Sequence, residues 1–527
     1  MGVVRYRYPL HIRFSLFVFR FLFSASCPHS SLLVFRFSLF VSYSLFPISQ
    51  SSFFVSRCSL PISYSPFPIF PLSSSHNLLN LLMQQKKQLS LFDLSMIVVS
   101  LVIGMGIFRT PVNVAAKAQI PELFYLAWFI GGFVAFCGAL TYAEIGSRYP
   151  VTGGYYKIFS AAYHPSIAFA INCIVIISSA ASVAAISIIG AEYLGKIILP
   201  VDMQTDFYRV TIAITTILIF YLINLLGLKA SAKTQNVLTI VKIALILLLI
   251  CAVFFGAQTQ AMTPVFKTQT GSIPTWSDYG KALGLCLIAV SFSYAGYAQT
   301  INFGGEVKEA KKVIPRSIII GLSIIVSLYL IINYVYVKVI GFEELKTAES
   351  IAAILASKIF GPAGFKMLSV IIFVSVMGYV NVNLLSNPRA MFAMGEEGAL
   401  PKIFTKTNTK TGVITLSLTV FTLIAVVIIF YAKTFDKILN YTIFLESISM
   451  ASSAATIFIL RKRTAHLDQK TIYTVPLYPI LPIIFIAAYT FVAFSIYTDD
   501  PNAALNGLYI FIGFLIIYFV SRYFKNK

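Results

Sequence analysis

Charged residues are scarce in this 527-residue chain, and acidic residues are the scarcest. Asp, Glu, Lys and Arg make up 11% of the sequence, and Asp and Glu together number only 19. Soluble globular proteins carry about 25% charged residues. Hydrophobic residues, in contrast, reach 58%. This composition excludes a soluble globular protein and indicates a chain that crosses a membrane several times.

The residues that build metal sites, disulfide frameworks and hydrolytic sites are also few. The six cysteines show no C-x-x-C spacing, and the five histidines do not cluster near them. Neither paired carboxylates nor a Ser/His/Asp set converges in the apolar segments. We therefore predict no catalytic residues, no metal, no cofactor and no enzymatic activity.

Residues 1–82 lack Asp, Glu and Lys altogether but contain six arginines. The hexapeptide Arg-Phe-Ser-Leu-Phe-Val occurs at 13–18 and again at 36–41. Such a biased repeat does not suit a compact domain. Our hypothesis is that 1–82 is a low-complexity extension outside the native protein, with translation starting at Met83. An Arg/Ser-rich leader peptide is the alternative.

From Met83 onward, apolar segments follow one another, each long enough to span a bilayer, which takes about 20 helical residues. There are twelve, at 92–118, 122–146, 166–194, 207–227, 235–256, 279–304, 314–337, 363–386, 412–431, 438–460, 474–496 and 505–522. We therefore predict an all-α membrane domain over 83–527 with twelve transmembrane helices.

Basic residues are unevenly distributed over the connections between these segments. If Met83 is cytoplasmic, the inner connections hold twenty-one Lys and Arg and the outer ones nine, counted along the sequence. This positive-inside bias predicts a multi-pass protein of the plasma (cell inner) membrane with both termini in the cytoplasm. It also explains the net charge of +21, so no nucleic-acid partner is expected.

Two of the apolar segments are interrupted at mid-depth. The first contains Gly104 and Gly106, the second the polar run 291–300 with Gly296 at its centre. Glycine is a poor helix former, and irregular backbone inside a membrane must face protein or a polar cavity. A helix broken there exposes N–H and C=O groups that suit a ligand carrying a carboxylate and an ammonium. A Gly-rich packing face is the alternative.

The interrupted segments are the first and the sixth, so they open two successive five-helix halves. Broken helices at corresponding positions of inverted halves indicate the central site of a transporter. We assign repeat one to 92–256, repeat two to 279–460 and two additional helices to 474–522.

Several motifs then carry a family resemblance. They are Gly-Met-Gly-Ile-Phe at 104–108, Tyr-Ala-Glu-Ile-Gly at 142–146, Phe-Ser-Tyr-Ala-Gly-Tyr at 292–297, the stretch 306–316 and the stretch 387–401. In this order they resemble motifs of the amino acid–polyamine–organocation (APC) permeases, and within them the L-type amino acid transporter branch. The resemblance covers 83–527 and implies the LeuT-like five-plus-five inverted repeat with broken helices 1 and 6.

The resemblance also implies a substrate site at the two breaks. An amino acid carboxylate would meet the backbone N–H groups of the first break, and its ammonium the carbonyls at Ile103, Phe292 and Ser293. Phe292 matches the family's aromatic gate, with core packing as its alternative. The full predicted set is Ile103, Gly104, Met105, Gly106, Ile107, Phe292, Ser293, Tyr294, Gly296 and Tyr297.

Two ionisable residues lie within apolar segments, where charge is costly. Lys242 resembles the lysine that replaces a sodium ion in sodium-independent members, tying the first break near Gly104 to the eighth helix near Ser375. It could also carry the coupling proton, or snorkel to the interface. Glu446 could be a proton carrier or could pair structurally with a cation.

Four further charges, Glu144, Arg148, Glu306 and Arg389, fall at the inner ends of helices and are expected to form salt bridges of an inner gate. The loop between helices 3 and 4, at 195–206, contains no cysteine. Eukaryotic L-type transporters join their partner through a cysteine there, so we expect no disulfide-linked heavy chain. No oligomeric state is predicted.

These features predict a secondary amino acid transporter that works by alternating access without sodium, by proton symport or by exchange. Polyamine or amine transport is a related alternative, made less favourable because no acidic side chain is expected near the breaks. A nutrient-sensing receptor is the alternative from another class, but the tails are short for signalling. The expected partners are a small-molecule amino acid and the lipid bilayer.

Overall fold

The structure is a computed structural model that describes residues 88–104, 106–251, 254, 275–348, 351, 354–355, 358, 361–430 and 435–525. The extension 1–82 and Met105 therefore lie outside the described residues. The α-helices are α1 Leu91–Val102, α2 Gly106–Ala118, α3 Pro121–Arg148, α4 Gly154–Ala162, α5 Pro165–Ile198, α6 Asp206–Leu225, α7 Leu228–Cys251, α8 Trp276–Tyr294, α9 Ala310–Ile340, α10 Phe342–Thr347, α11 Pro362–Glu396, α12 Thr415–Phe430, α13 Phe435–Arg463, α14 Ile480–Asp499 and α15 Pro501–Lys525. Short 3₁₀ helices lie at Val201–Met203, Tyr297–Asn302, Gly304–Glu306, Lys402–Thr405 and Gln469–Thr471.

Each of the twelve predicted apolar segments coincides with a helix or with a pair of helices. Among the described residues, ten helical spans are long and apolar enough to cross a membrane, and the bent pair α1 and α2 raises the number to eleven. The helix α12 is apolar but has only 16 residues. The described part of the chain has no β-strand, only two isolated bridges.

Local sequence explains where several helices begin. Ser90 and Asp93 form a capping box at the start of α1, with the Ser90 N–H donating to the Asp93 carboxylate at 2.9 Å. Proline occupies the first turn of α3, α5 and α11, where its missing N–H costs nothing.

The helix α4 follows Gly153, whose φ of 66° is the left-handed conformation that glycine adopts readily. The aromatic residues Tyr155, Tyr156 and Phe159 on α4 are buried. This helix packs against α5 and the 3₁₀ helix Tyr297–Asn302, and is therefore part of the protein interior.

The first helix lies at the centre of the bundle. Helix α1 contacts α7, α9, α11 and the 3₁₀ helix Tyr297–Asn302, and all of its residues from Leu94 to Val102 are buried. Helix α1 therefore ends in the protein interior, where the Val102 carbonyl accepts from Tyr329 Oη at 3.3 Å.

Candidate substrate site

The first break separates α1 from α2. Helix α1 ends at Val102, α2 begins at Gly106, and the two axes differ by 41°. The carbonyls at the end of α1 have no partner further along that helix. Interior side chains or a ligand must satisfy them.

Lys242 of α7 satisfies one of these carbonyls. Its side chain is fully buried, and its Nζ donates to the Ile103 carbonyl at 2.5 Å and to Ser100 Oγ at 3.2 Å. The lysine thus reaches the first break, as the family resemblance implies. On α11 its neighbour is Gly378, where an added Cβ would lie 3.2 Å from Nζ. The expected contact near Ser375 is not made, since the buried Ser375 hydroxyl has no hydrogen-bond partner among the described residues.

A buried polar chain continues from the Lys242 site. Ser100 Oγ accepts from Thr239 Oγ1 at 3.3 Å, and Thr239 Oγ1 accepts from Gln235 Nε2 at 3.2 Å. Asn381 Nδ2 donates to Gln235 Oε1 at 2.7 Å, and Asn224 Nδ2 donates to Asn381 Oδ1 at 2.8 Å. These amides join α1 and α7 to α11 and α6. Sequence reasoning missed this network because its members are far apart along the chain.

The second break lies directly against the first. Helix α8 ends at Tyr294, and Gly296, with φ of 108°, leads into the 3₁₀ helix Tyr297–Asn302. A Cβ added to Gly296 would lie 2.4 Å from the Leu101 carbonyl oxygen. One added to Gly106 would lie 3.2 Å from Ser293 Oγ. Glycine at these positions therefore lets the two interrupted helices meet.

Several predicted substrate contacts are occupied within the protein in this conformation. The Gly104 N–H donates to the Val102 carbonyl at 2.9 Å, and the Phe292 carbonyl accepts from the Ala295 N–H at 3.3 Å. The Ile103 carbonyl holds Lys242. Gly106 and Ile107 begin α2, where the first N–H groups have no acceptor within the helix.

The aromatic residues of the second break do not all line a pocket. Tyr294 is buried, with its ring 5.9 Å from the Trp128 ring and 5.2 Å from the Tyr329 ring. Tyr297 is buried against Tyr142, with ring centroids 5.9 Å apart. The prediction that these two tyrosines shape the side-chain pocket therefore differs from the structure, which places both in the core.

Two other aromatic side chains near the breaks are partly exposed. Phe292 is 38% exposed, and its role as an aromatic gate stays a prediction. Tyr379 of α11 is half-buried and lies over Gly104, where an added Cβ would be 3.0 Å from Tyr379 Cδ2. Sequence reasoning missed Tyr379, which follows the Lys242 neighbour Gly378 directly.

The four predicted gate charges form two separate ion-pair clusters. Arg389 contacts both carboxylate oxygens of Glu306 at 2.6–3.0 Å, joining α11 to the segment after the second break. Glu144 binds Arg148 at 2.5 Å and also Arg461 of α13 at 2.6 Å. Arg461 was not predicted, because a basic cluster after an apolar segment is read as a topology signal.

Gly296 offers a first test of this geometry. Gly296→Ala should destabilise the protein, because its φ of 108° is unfavourable for a residue with a Cβ, at roughly 1–3 kcal/mol, and because the methyl group meets the Leu101 carbonyl. The melting temperature in detergent should fall. Gly280→Ala on α8, where nothing lies within 4 Å, is the matched control. An unchanged melting temperature for Gly296→Ala would contradict the close approach of the breaks.

Comparisons with known proteins agree with this architecture. A profile of the family described as amino acid permease matches residues 89–520. The chain is 31% identical to the serine/threonine exchanger SteT of Bacillus subtilis over 81% of this chain and 94% of the exchanger. It is 23% identical to the human large neutral amino acids transporter small subunit 2, over 84% and 82% of the two chains. With the human cystine/glutamate transporter it shares 26% identity, over 80% and 83%.

The family match covers both helix breaks, the Lys242 site and both ion-pair clusters. It confirms the predicted resemblance to the APC permeases and the predicted fold class, an all-helical membrane protein with the LeuT-like fold. The family and these relatives are transporters, as predicted from the two interrupted helices and the family resemblance. The chain therefore belongs to the amino acid permease family and is a multi-pass membrane transporter, not an enzyme.

Proposed function

We propose that this protein transports amino acids by alternating access without sodium, either as an exchanger or as a proton symporter. The main support for the proposal is the hydrogen bond of 2.5 Å that Lys242 Nζ donates to the Ile103 carbonyl. A fixed ammonium there occupies the position in which a bound cation would neutralise the end of α1. The exchanger SteT, whose printed name specifies serine and threonine, supports small neutral amino acids as the first substrates to test.

The proposed substrate position follows from the backbone N–H groups at the breaks that have no acceptor within their helix and from the aromatic side chains that are partly exposed there. The substrate carboxylate would meet the N–H groups of Gly106 and Ile107 at the start of α2, where backbone donors and the helix dipole favour an anion. Phe292 and Tyr379 would flank the ligand. In this scheme the Gly104 N–H becomes a carboxylate donor only after it leaves the Val102 carbonyl.

The two ion-pair clusters would close the inner side. Both clusters lie near the end of the bundle where the end of α3 meets the start of α9. At this end, Ser147 Oγ of α3 donates to the Lys311 carbonyl of α9 at 2.8 Å. Opening towards the cytoplasm would separate Glu306 from Arg389 and Glu144 from Arg461. The assignment of both clusters to the inner side depends on the predicted topology, in which the protein lies in the plasma membrane with both termini in the cytoplasm. We also expect transport without a disulfide-linked second subunit.

The proposal is tested with the full chain reconstituted into proteoliposomes. Uptake of radiolabelled serine, threonine, leucine and glutamate is measured with an inward proton gradient, with a sodium gradient, or with only internal amino acid. We expect uptake that requires the proton gradient or internal substrate and does not respond to sodium. Stimulation by internal substrate alone would assign exchange.

Protein-free liposomes with the same gradients are the control. Uptake driven by sodium would contradict the role of Lys242 as a cation substitute. Failure to transport any amino acid, by a preparation that is monodisperse and thermally stable, would remove the proposed function.

A further inference from the structure

A polar cleft lies between the beginnings of α1 and α7. It has a volume of about 290 Å³, and its polar lining consists of Gln88, Asp93, Lys229, Lys233 and Asn236. The proposed transport scheme uses none of these residues. The two lysines outnumber the one acidic residue, so the cleft carries an excess of positive charge.

The two lysines of the cleft have no acidic partner in the described part of the chain. Both side chains are exposed, and neither forms an ion pair there. Residues 1–87, which precede the cleft in the sequence, contain no Asp and no Glu. The Asp93 carboxylate is engaged elsewhere, since one oxygen accepts from Ser90 Oγ at 2.7 Å and the other from Asn236 Nδ2 at 2.6 Å. An anion bound beside the lysines would therefore come from outside the protein.

The positions of the lysines along α7 favour such an anion. Lys229 is the second residue of the helix, where the positive end of the helix dipole disfavours a cation. Lys233 follows four residues later, so the two ammonium groups repel each other on one face of the helix. A bound phosphate would relieve both effects, because it accepts charge-assisted hydrogen bonds from ammonium groups.

The face of α7 that carries the two lysines continues as an apolar stripe. Val237, Ile240 and Val241 follow Lys233 within about two helical turns, and all three are exposed. Exposed apolar side chains on a membrane-spanning helix contact lipid acyl chains. A basic cleft followed by such a stripe matches the shape of a phospholipid, in which a charged headgroup adjoins the acyl chains.

We propose that this cleft binds the headgroup of an anionic phospholipid, whose phosphodiester contacts Lys229 and Lys233 while its acyl chains lie along the stripe. Basic pockets between transmembrane helices on the cytoplasmic side suit anionic headgroups. The Gln88 N–H donates to the Glu306 carbonyl at 2.9 Å, so the cleft lies at the end of the bundle that the predicted topology assigns to the cytoplasm. The inference concerns lipid binding and not the transport cycle, and it is independent of the proposed function.

Asn236 favours a headgroup that carries hydroxyl groups. Its Nδ2 is used by Asp93, whereas its buried Oδ1 has no hydrogen-bond partner among the described residues. A buried acceptor without a partner is unfavourable, and a hydroxyl of a glycerol headgroup would donate to it. Phosphatidylglycerol is therefore the lipid to test.

The test measures lipid binding to the full-length protein by native mass spectrometry in detergent. Phosphatidylglycerol, phosphatidylcholine and glycerol phosphate are titrated separately, and an apparent Kd is determined for each. We expect phosphatidylglycerol to bind at least about tenfold more tightly than phosphatidylcholine, because both lysines contribute to the attraction. In the double variant Lys229→Gln with Lys233→Gln, the two lipids should bind within about twofold of each other.

Two further variants separate a site from general surface charge. Lys402→Gln with Lys406→Gln is the matched control, because it removes two exposed lysines from another inner connection, at the 3₁₀ helix Lys402–Thr405, and should keep the preference for phosphatidylglycerol. Ala232→Leu narrows the cleft, which Ala232 also lines, and leaves both lysines and the topology signal in place. It should weaken phosphatidylglycerol binding.

Four results would overturn the inference. Equal Kd values for the two lipids in wild type would refute an anionic lipid site, and equal losses in both lysine variants would assign the binding to surface charge in general. Unchanged binding in Ala232→Leu would exclude the cleft as the location, even if the lysine variant does not fold. Glycerol phosphate that binds as tightly as phosphatidylglycerol would assign a free phosphate ester in place of a lipid. Each of these results leaves the proposed function standing.

Discussion

Replacing Lys242 with alanine should lower amino acid uptake at least about a hundredfold. The ammonium makes two hydrogen bonds at the first break, to the Ile103 carbonyl and to Ser100. Hydrogen bonds to charged groups contribute about 1.5–3 kcal/mol each, and about 1.4 kcal/mol corresponds to a factor of ten. Without them the end of α1 has an unpaired carbonyl and no positive charge. Initial rates of serine uptake in proteoliposomes measure the effect.

The matched control is Lys233→Ala, which removes an exposed lysine from the same helix. Its uptake should equal that of wild type, and both variants should elute from size exclusion as single species. Lys242→Ala that retains more than half of wild-type uptake would show that the lysine does not replace a coupling cation. Sodium-dependent uptake in that variant would instead show that a sodium ion can take its place.

Replacing Arg389 with alanine should produce the largest loss of stability. Glu306 and Arg389 are both buried, and the guanidinium also lies 4.5 Å from the Phe303 ring. Removal of one partner leaves an uncompensated buried carboxylate, which costs about 3–5 kcal/mol. The melting temperature in detergent should fall by several degrees. The double variant Glu306→Gln with Arg389→Gln should be more stable than Arg389→Ala, because neither side chain is then charged.

The control for this prediction is Lys196→Ala. Its ion pair with Glu192 is about 40% exposed on both sides, and such surface pairs contribute roughly 0–1 kcal/mol. Equal melting temperatures for Arg389→Ala and Lys196→Ala would show that the Glu306–Arg389 pair is not a structural contact of this conformation.

Much of the fold could be predicted because membrane crossing imposes strong local rules. A span needs about 20 apolar residues whatever its neighbours are, so the twelve segments coincide with helices. Interruptions such as Gly104 and Gly296 stand out against that background, since irregular backbone in a membrane must be satisfied inside the protein. The cost of a charge at that depth predicted only that Lys242 faces inward and has a partner, and the family resemblance implied that this partner is the first break.

The predictions were weaker wherever orientation about a helix axis mattered. Tyr294 and Tyr297 belong to the second break by sequence, yet both rings pack into the core. One residue along a helix changes direction by about 100°, because 3.6 residues make one turn, so adjacency to a motif does not place a side chain in the cavity. The partly exposed aromatic side chains near the breaks are Phe292 and Tyr379 instead.

The sequence by itself determined the class of protein, the positions of its spans, the two helix breaks and the depth of Lys242, because each depends on local composition and on the cost of polarity in a membrane. Only the tertiary structure decided which distant groups meet. Arg461 joins Glu144 across 317 residues, Asn381 joins Gln235 across 146, and Tyr379 lies over Gly104. Such contacts depend on how helices rotate and pack, and that is settled by the shape complementarity of the whole bundle.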